Sequence, residues 1–345
     1  MSKINTLKQD AEYDIVGMGE VMIRLSPPGK QKLSQADYFE RNIGGSELNV
    51  VSGAAMLGTR SAMITKLPDN AIGRLVKSKI TSGNVDDRYL VYDKSDKSRL
   101  GLYYYENGAY PRKSSVIYDR ANSSVCTLGI DEISDDIFDK TKIFHISSIT
   151  LALSPELQKT ALEVIKKFHG AGAKISFDVN YRAALWSEDE ARAVIEDVFN
   201  YVDFLFVSEE TSRRMLRRTG SLEDIMKGYS NDFGCSLVAT TRREVVSPMH
   251  HNFNSKIYFD GNFYEEKGYN NIEVIDRIGS GDAYLSGVLY GLTALGDVEQ
   301  ALKIGNACSA VKNTVVGDMS DSSIGEIMNV IKSHNATGHQ DEMVR

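Results

Sequence analysis

The chain has 345 residues, 25% of them charged and 42% hydrophobic, with a formal net charge of −7. That is the make-up of an ordinary globular protein with a sizeable core, and it argues against nucleic acid as the main partner. The three cysteines, Cys126, Cys235 and Cys308, lie far apart with no CxxC pair, which argues against a disulfide framework or structural zinc and fits a reducing compartment. No apolar run approaches membrane-spanning length. The polar start MSKINTLKQDAEYD lacks a signal-peptide core, so a cytoplasmic location and no membrane partner are expected.

In chain order, Tyr13–Glu20 reads as a buried strand. Its Gly17-Met18-Gly19-Glu20 lacks the third glycine of a dinucleotide fingerprint. Shorter β-like pieces follow: VMIRL, then RLGLYYYE and SSVIYD, with alternating tyrosines and aliphatics. They suggest a small sheet added to the main body, and such a sheet over a strand-end cleft would be a lid. Between them, Gly44-Gly45-Ser46-Glu47-Leu48-Asn49 opens a helix. Its glycine pair allows close backbone approach. Asn49 offers donor and acceptor to a ligand rich in hydroxyls, although a loop glycine pair with a capping Asn gives the same pattern.

The middle of the chain alternates strands and helices. Lys142–Ser147 is a strand, and Ser154 caps a helix with Pro155 at its first position that runs to about Gly170. Ala173–Asp178 is the next strand, Ser187 and Glu190 form a capping box, and Phe204–Val207 is a further strand. This rhythm implies a mostly parallel sheet with crossover helices, whose ligands bind outside the carboxyl ends of the strands. Asp178–Arg182 and Ser208–Glu210 sit there. Arg182 suits a carboxylate or phosphate, or pairs with a neighbouring acid. Trp186 reads as packing.

Cys235–Thr240 is another strand, and the turn Asp260-Gly261-Asn262 marks a hairpin. His250-His251 is read as an exposed polar loop without a specific role, and Arg213-Arg214 with Arg217-Arg218 as a solvated helix face. Then Asp276-Arg277-Ile278-Gly279-Ser280-Gly281-Asp282 leads into a helix. Two glycines and a helix start converge there, suiting negative charge on a transferring phosphoryl group. Asp282 in the first turn is placed to take a proton from an attacking hydroxyl; a plain helix cap also fits. Helices over about Val298–Val315 and Ser322–Ser333 follow, and a frayed tail is expected from Asn335.

The combination of GGSELNVVSGAAMLG early and DRIGSGDAYLSG late resembles the ribokinase-like, or pfkB, sugar kinases, over about Tyr13 to Ser333. DVNYRAALW, VSEET, the Tyr-x-Arg of Tyr118–Arg120 and Gly317-Asp318 look like the 2-keto-3-deoxygluconate kinases within that family. The resemblance implies an α/β fold, a three-layer α/β/α sandwich with a mostly parallel sheet. It implies one kinase domain over residues 1–345, with a lid inserted at about 20–45 and 98–122. It implies ATP with Mg2+, and transfer to the terminal hydroxyl of 2-keto-3-deoxygluconate, with another sugar of the family or a non-catalytic sensor as alternatives. Asp282 is then the base, and Gly279, Ser280 and Gly281 the anion hole. Gly45, Ser46, Glu47 and Asn49 hold the sugar, Tyr103 and Tyr118 cover it, and Arg120, Arg182 and Asp318 face it. Asn180, Arg182, Ser208, Thr240, Gly279, Gly281 and Asn306 match nucleotide positions, and pairing of lids implies a possible homo-oligomer.

Three departures from the family pattern stand out. Ser208-Glu209-Glu210-Thr211 replaces Asn-x-x-Glu, so that magnesium is held through water or by Glu209 or Glu210. Thr241-Arg242-Arg243-Glu244-Val245 replaces a Gly-x-x-Gly nucleotide loop. Asp119 replaces a tyrosine and adds negative charge near an acid substrate.

Overall fold

The computed structural model describes residues 7–8, 10–247 and 249–336. The first half runs β1 (Tyr13–Met18), β2 (Met22–Ser26), β3 (Glu40–Gly44), α1 (Ser46–Leu57), β4 (Ser61–Pro68), α2 (Ala71–Ser82), β5 (Val85–Asp86), β6 (Leu90–Asp93), β7 (Gly101–Glu106) and β8 (Ser115–Asp119). The middle continues with α3 (Asp136–Asp139), β9 (Thr141–Ser147), α4 (Ser148–Leu151), α5 (Pro155–Gly170), β10 (Lys174–Asp178), α6 (Glu188–Phe199), β11 (Phe204–Phe206), α7 (Glu209–Arg214) and α8 (Leu222–Phe233). The last part is β12 (Leu237–Ser247), β13 (His250–Phe259), β14 (Asn262–Glu265), β15 (Tyr269–Glu273), α9 (Ser280–Tyr290), α10 (Val298–Asn313) and α11 (Ile324–Asn335). The tail expected to fray lies, from residue 337 on, outside the described residues.

Eleven strands form one sheet in the order β14-β13-β12-β11-β10-β9-β1-β4-β5, with β15 on β13 and β6 on β4. From β12 through β4 every pair is parallel. The order reverses between β1 and β9: the chain leaves β1 towards β4 on one side and returns through β9 and β10 on the other. Such a switch point opens a crevice at the strands' carboxyl ends. Alternate side chains feed two cores, one per face of the sheet. Ile15 and Ile143 pack with α1, α9 and α10, while Val16, Phe144 and Ile146 pack with α5, α6 and α8.

Local sequence explains where the middle helices begin. Ser154 Oγ accepts from Leu157 N at 3.0 Å with Pro155 behind it, and Ser187 and Glu190 close a reciprocal box. Each such cap is worth about 1 kcal/mol.

A separate four-stranded sheet, in the order β3-β2-β7-β8, comes from the two segments where a small sheet was expected. Buried charge joins it to the main body. Arg24 on β2, 1% exposed, donates to Asp276 at 2.6 Å and pairs with Asp318 at 3.1 Å, and the Tyr103 hydroxyl on β7 donates to Asp318.

Several expectations need correction. The loop expected after Thr240 does not form: β12 runs on to Ser247 and pairs antiparallel with β13. His250-His251 therefore lies in a strand, with His251 buried, rather than on an exposed loop. The arginine face is not one helix, because α7 ends at Arg214 and Arg217 takes a positive φ. All four arginines there are ion-paired, to Glu209, Glu188 and Glu210, Asp189, and Asp232. Trp186 packs partly buried in the second core, as expected. Among the described residues no helix is long and apolar enough to cross a membrane.

Candidate active site

A cavity of about 550 Å³ lies along the carboxyl ends of the parallel strands, under the small sheet. Glu20 reaches it from the end of β1, Asp178–Arg182 from β10, Phe206–Ser208 from β11 and Thr241 and Arg243 from β12. Gly45–Glu47 and Asn49 of α1 face Arg277–Asp282 across it, and Tyr103, Tyr118 and Arg120 enter from the small sheet. Two segments more than 220 residues apart are thus brought together.

Asp282 is the centre of this arrangement. Asn49 Nδ2 donates to its Oδ2 at 2.7 Å, while Ser46 Oγ approaches Oδ1 only to 3.5 Å. Asn180 Nδ2 in turn donates to Ser46 Oγ at 3.2 Å. One oxygen is therefore fixed and the other is nearly free. Burial pushes the Asp282 carboxyl up to about 6, against the Asn49 bond and the Arg182 charge, which favour the ionised form. Near pH 7 it is an ionised, poorly solvated carboxylate, the state a general base needs.

The turn before Asp282 requires glycine. Gly279 has φ +80° and its missing Cβ would sit 1.9 Å from the Asp318 carbonyl oxygen. Ser280 N uses the Arg277 carbonyl at 3.3 Å, but the remaining first-turn amides of α9 have no intrahelical acceptor. A side chain at Gly281 would meet nothing within 4 Å, so this amide cradle opens onto free space, as an anion site should. Gly45 is glycine for close approach, since a Cβ there would lie 2.0 Å from the Glu20 carbonyl oxygen.

Glu47 lines the cavity yet is buried. Its carboxylate accepts from Ser147 N at 2.9 Å, Ser147 Oγ at 2.7 Å and Thr150 Oγ1 at 2.7 Å, and burial raises its pKa. It ties α1 to the end of β9 and so sets where Asn49 stands. At the other end of the cleft Arg120 donates through Nε at 2.7 Å and through Nη2 to Glu20, whose other oxygen takes the Ser123 hydroxyl. Nη1 is left without a partner among the described residues. The guanidinium lies 5.4 Å over the Tyr118 ring.

From the sequence Asp178 was placed at a ligand-binding strand end but given no role of its own. It lines the cavity, and its carboxylate has no hydrogen-bond partner among the described residues. Burial, then the nearby Asp282, pushes it up to about 8. An unsatisfied acid pointing at a cleft calls for a cation or a donor. Glu209 and Glu210, the expected magnesium holders, are outside the cavity lining and pair with Arg213 and Arg214. Ser208 lines the cavity but also caps α7, accepting from Thr211 N at 3.1 Å.

Other residues lie off the cleft. Asp119 is ion-paired to Arg99 at 2.7 Å outside the lining, so it adds no net charge at the cavity. Thr240 is buried on the opposite side of β12 from the cavity-lining Ala239 and Thr241. Asn306 is fully buried, with Ser255 Oγ donating to it at 2.7 Å and its own Nδ2 donating to Glu266 at 2.9 Å. Asp318 does line the cavity, and its carboxylate accepts from the Tyr103 hydroxyl and is ion-paired with Arg24.

Comparison with known proteins matches this geometry to a family. The sequence profile of the pfkB family carbohydrate kinases matches residues 13–324. A 2-dehydro-3-deoxygalactonokinase of Haloferax volcanii is 36% identical over 94% of this chain and 98% of its own. The crystal structure of a 2-dehydro-3-deoxygluconokinase from Thermotoga maritima superposes with a TM-score of 0.88 at 30% identity, covering 92% of this chain and 98% of that one. A sugar kinase from Pyrococcus horikoshii solved in complex with ATP shares the fold, with a TM-score of 0.72 at 24% identity over 92% and 99% of the two chains. With its profile match, its relatives and its ribokinase-like sheet all in agreement, the chain is a member of the pfkB family of carbohydrate kinases.

Proposed function

We propose that the protein transfers the γ-phosphoryl group of ATP to the terminal hydroxyl of 2-keto-3-deoxygluconate, giving the 6-phosphate and ADP. The observation that carries this is the Asp282 carboxylate, fixed on one oxygen by Asn49 and turned with the other to a cleft that ends in an open amide cradle. An alcohol is a weak nucleophile, so a base is required, and the rest of phosphoryl transfer asks for positioning and charge neutralisation.

In the reaction Asp282 Oδ1 accepts the proton of the sugar hydroxyl as the sugar oxygen bonds to the γ-phosphorus and the bond from that phosphorus to the ADP oxygen breaks. The amides at Gly279–Asp282 meet the charge spreading over the phosphoryl oxygens. Asn49, Ser46 and Asn180 keep Asp282 in place. Tyr118 and Arg120 close the sugar end, where an arginine suits an acid better than a neutral hexose. A bound Mg2+ would neutralise phosphate charge, and Asp178 is the residue that fits it, since magnesium takes one or two protein carboxylates with phosphate and water completing its shell. The small sheet acts as the lid, excluding water that would compete with the sugar hydroxyl.

A second reading is the C4 epimer, 2-keto-3-deoxygalactonate, favoured by the relative of 36% identity. Release of ADP should be measured at equal concentrations of both epimers, gluconate, fructose and ribose. Turnover confined to the 2-keto-3-deoxy acids is expected, and their ratio assigns the epimer. Equal kcat/KM for fructose or ribose would overturn the reading, and ATP binding without turnover on any sugar would leave a sensor.

A further inference from the structure

Four arginines line the catalytic cavity: Arg120, Arg182, Arg243 and Arg277. Arg120 is ion-paired to Glu20, and Arg182, which forms no ion pair among the described residues, still favours the ionised forms of Asp178 and Asp282. Arg243 and Arg277 have no ion pair and no side-chain hydrogen bond among the described residues. The basic groups near them aggravate the situation. His251, 5% exposed on the neighbouring β13, has a buried Nδ1 without a partner among the described residues, and burial, then Arg243 and Arg277, disfavour its protonation. Partial desolvation in the cavity wall, and then Arg277, lower the pKa of Arg243. Arg243 is exposed and Arg277 half-buried, so both guanidiniums stand in the cavity wall open to an anion, with no acid among the described residues to neutralise them.

We infer that Arg243 and Arg277 form a clamp for the polyphosphate of the nucleotide, replacing by side-chain charge the glycine-loop contacts that this chain lacks. The inference rests on the kinase reading above. The strand order locates the clamp. Glu20, Arg120 and Asn49 mark the sugar end, beyond β1, and Arg243 stands on β12, four strands further along. At about 4.8 Å per strand that is roughly 19 Å, with Asp178, Ser208 and the Gly279–Gly281 cradle between. A donor whose γ-phosphoryl sits in the cradle must extend its remaining phosphates away from the sugar, towards β11 and β12. The extended strand supplies the geometry. Where a loop would expose backbone amides, β12 continues, and alternation turns Ala239, Thr241 and Arg243 to the cavity while Arg242 faces away. Arg277, two residues before Gly279, approaches from the other side. Planar guanidinium forks suit phosphate oxygens.

The test is calorimetric titration of wild type, Arg243→Gln and Arg277→Gln with Mg·ATP, Mg·ADP and 2-keto-3-deoxygluconate, alongside thermal melts of the unliganded proteins. Each substitution should weaken Mg·ATP and Mg·ADP by about tenfold or more, the size of a lost charge-assisted hydrogen bond, and leave the sugar acid's affinity unchanged. Unliganded Tm should stay level or rise, because a like-charge contact is relieved; a purely structural role predicts a fall. Unchanged ATP and ADP affinity would overturn the clamp alone. A weakened sugar acid with normal ATP would overturn it in favour of a carboxylate reader. Wild type that binds the sugar acid but no ATP would remove the clamp and the kinase reading together.

Discussion

The chemistry of this protein turns on a few side chains whose state follows from their surroundings. Asp282→Asn keeps the shape of the side chain and removes the base, so turnover should fall by about two orders of magnitude or more while Mg·ATP affinity is retained. Single-turnover kinetics with separate binding measurements would show this, and near wild-type turnover would end the assignment. The pH profile adds an independent check. Asp282 must be ionised to act, so kcat/KM should rise through an acid limb near pH 6. The Asn49 bond favours the ionised form, and Asn49→Ala should therefore move that limb to higher pH. At the sugar end, Arg120→Lys should raise the sugar KM with little change for ATP, since an ammonium cannot reproduce the planar fork. Lysine is the better variant because alanine would leave the buried Glu20 carboxylate unpaired, at a cost of about 3–5 kcal/mol. Asp282, Asn49 and the glycine turn were legible because each lies in a compact motif whose local geometry is nearly fixed. Asp178, Arg243 and Arg277 were not, because neither a missing partner nor the cavity-facing side of a strand is visible before tertiary structure forms.

At the level of elements, caps and hydrophobic runs placed the middle helices and strands to within a few residues. The small sheet was legible from alternating tyrosines. The β12–β13 hairpin was misread, because a Thr-Arg-Arg-Glu-Val run after a buried strand carries no turn residue, and only pairing with β13 shows that it continues as a strand. That hairpin also meets the small sheet's loops, with Lys30 Nζ 2.9 Å from Met249 Sδ. The small sheet is also held by Arg24 and Tyr103 on Asp276 and Asp318, beside the glycine turn. As the proposed lid, a sheet so anchored should respond to sugar as a unit. Amide exchange should slow in Val21–Leu25 and Leu100–Tyr105 when saturating sugar acid is added, and sugar and ATP should tighten each other's binding by one common factor. Identical exchange with and without sugar would return Tyr103 and Tyr118 to the rank of ordinary packing residues.

Over the whole molecule, the cleft stores unfavourable charge that substrates offset, and this should show in the dependence of stability on pH. Burial raises the pKa of Glu47, Asp178, Asp282 and Asp318, so the folded protein holds protons that the unfolded chain has released. Stability from such groups is full below the unfolded carboxylate range near 4 and is lost as pH rises towards each folded value. His145 acts the other way. It is buried beside Ser176 and depressed to about 3, so its contribution grows with pH and is complete above about 6.5, the ordinary histidine value. Asp136, held at about 2 chiefly by Lys140, is already ionised in both states there. Between about pH 6.5 and 8 the slope therefore belongs largely to the acids of the cleft, with Asp178, titrating near 8, placed to contribute up to about 1.4 kcal/mol per pH unit. Unliganded wild type should lose a few degrees of Tm, about 2–4 °C, across that interval. Asp178→Asn should flatten the slope and melt higher than wild type at pH 8, even as it weakens the response to Mg2+ with ATP. Melting curves at half-unit pH steps in constant ionic strength would decide it. An equal slope in the two proteins would mean that Asp178 is ionised in the free enzyme, and the cleft would then hold a full extra negative charge for magnesium to meet.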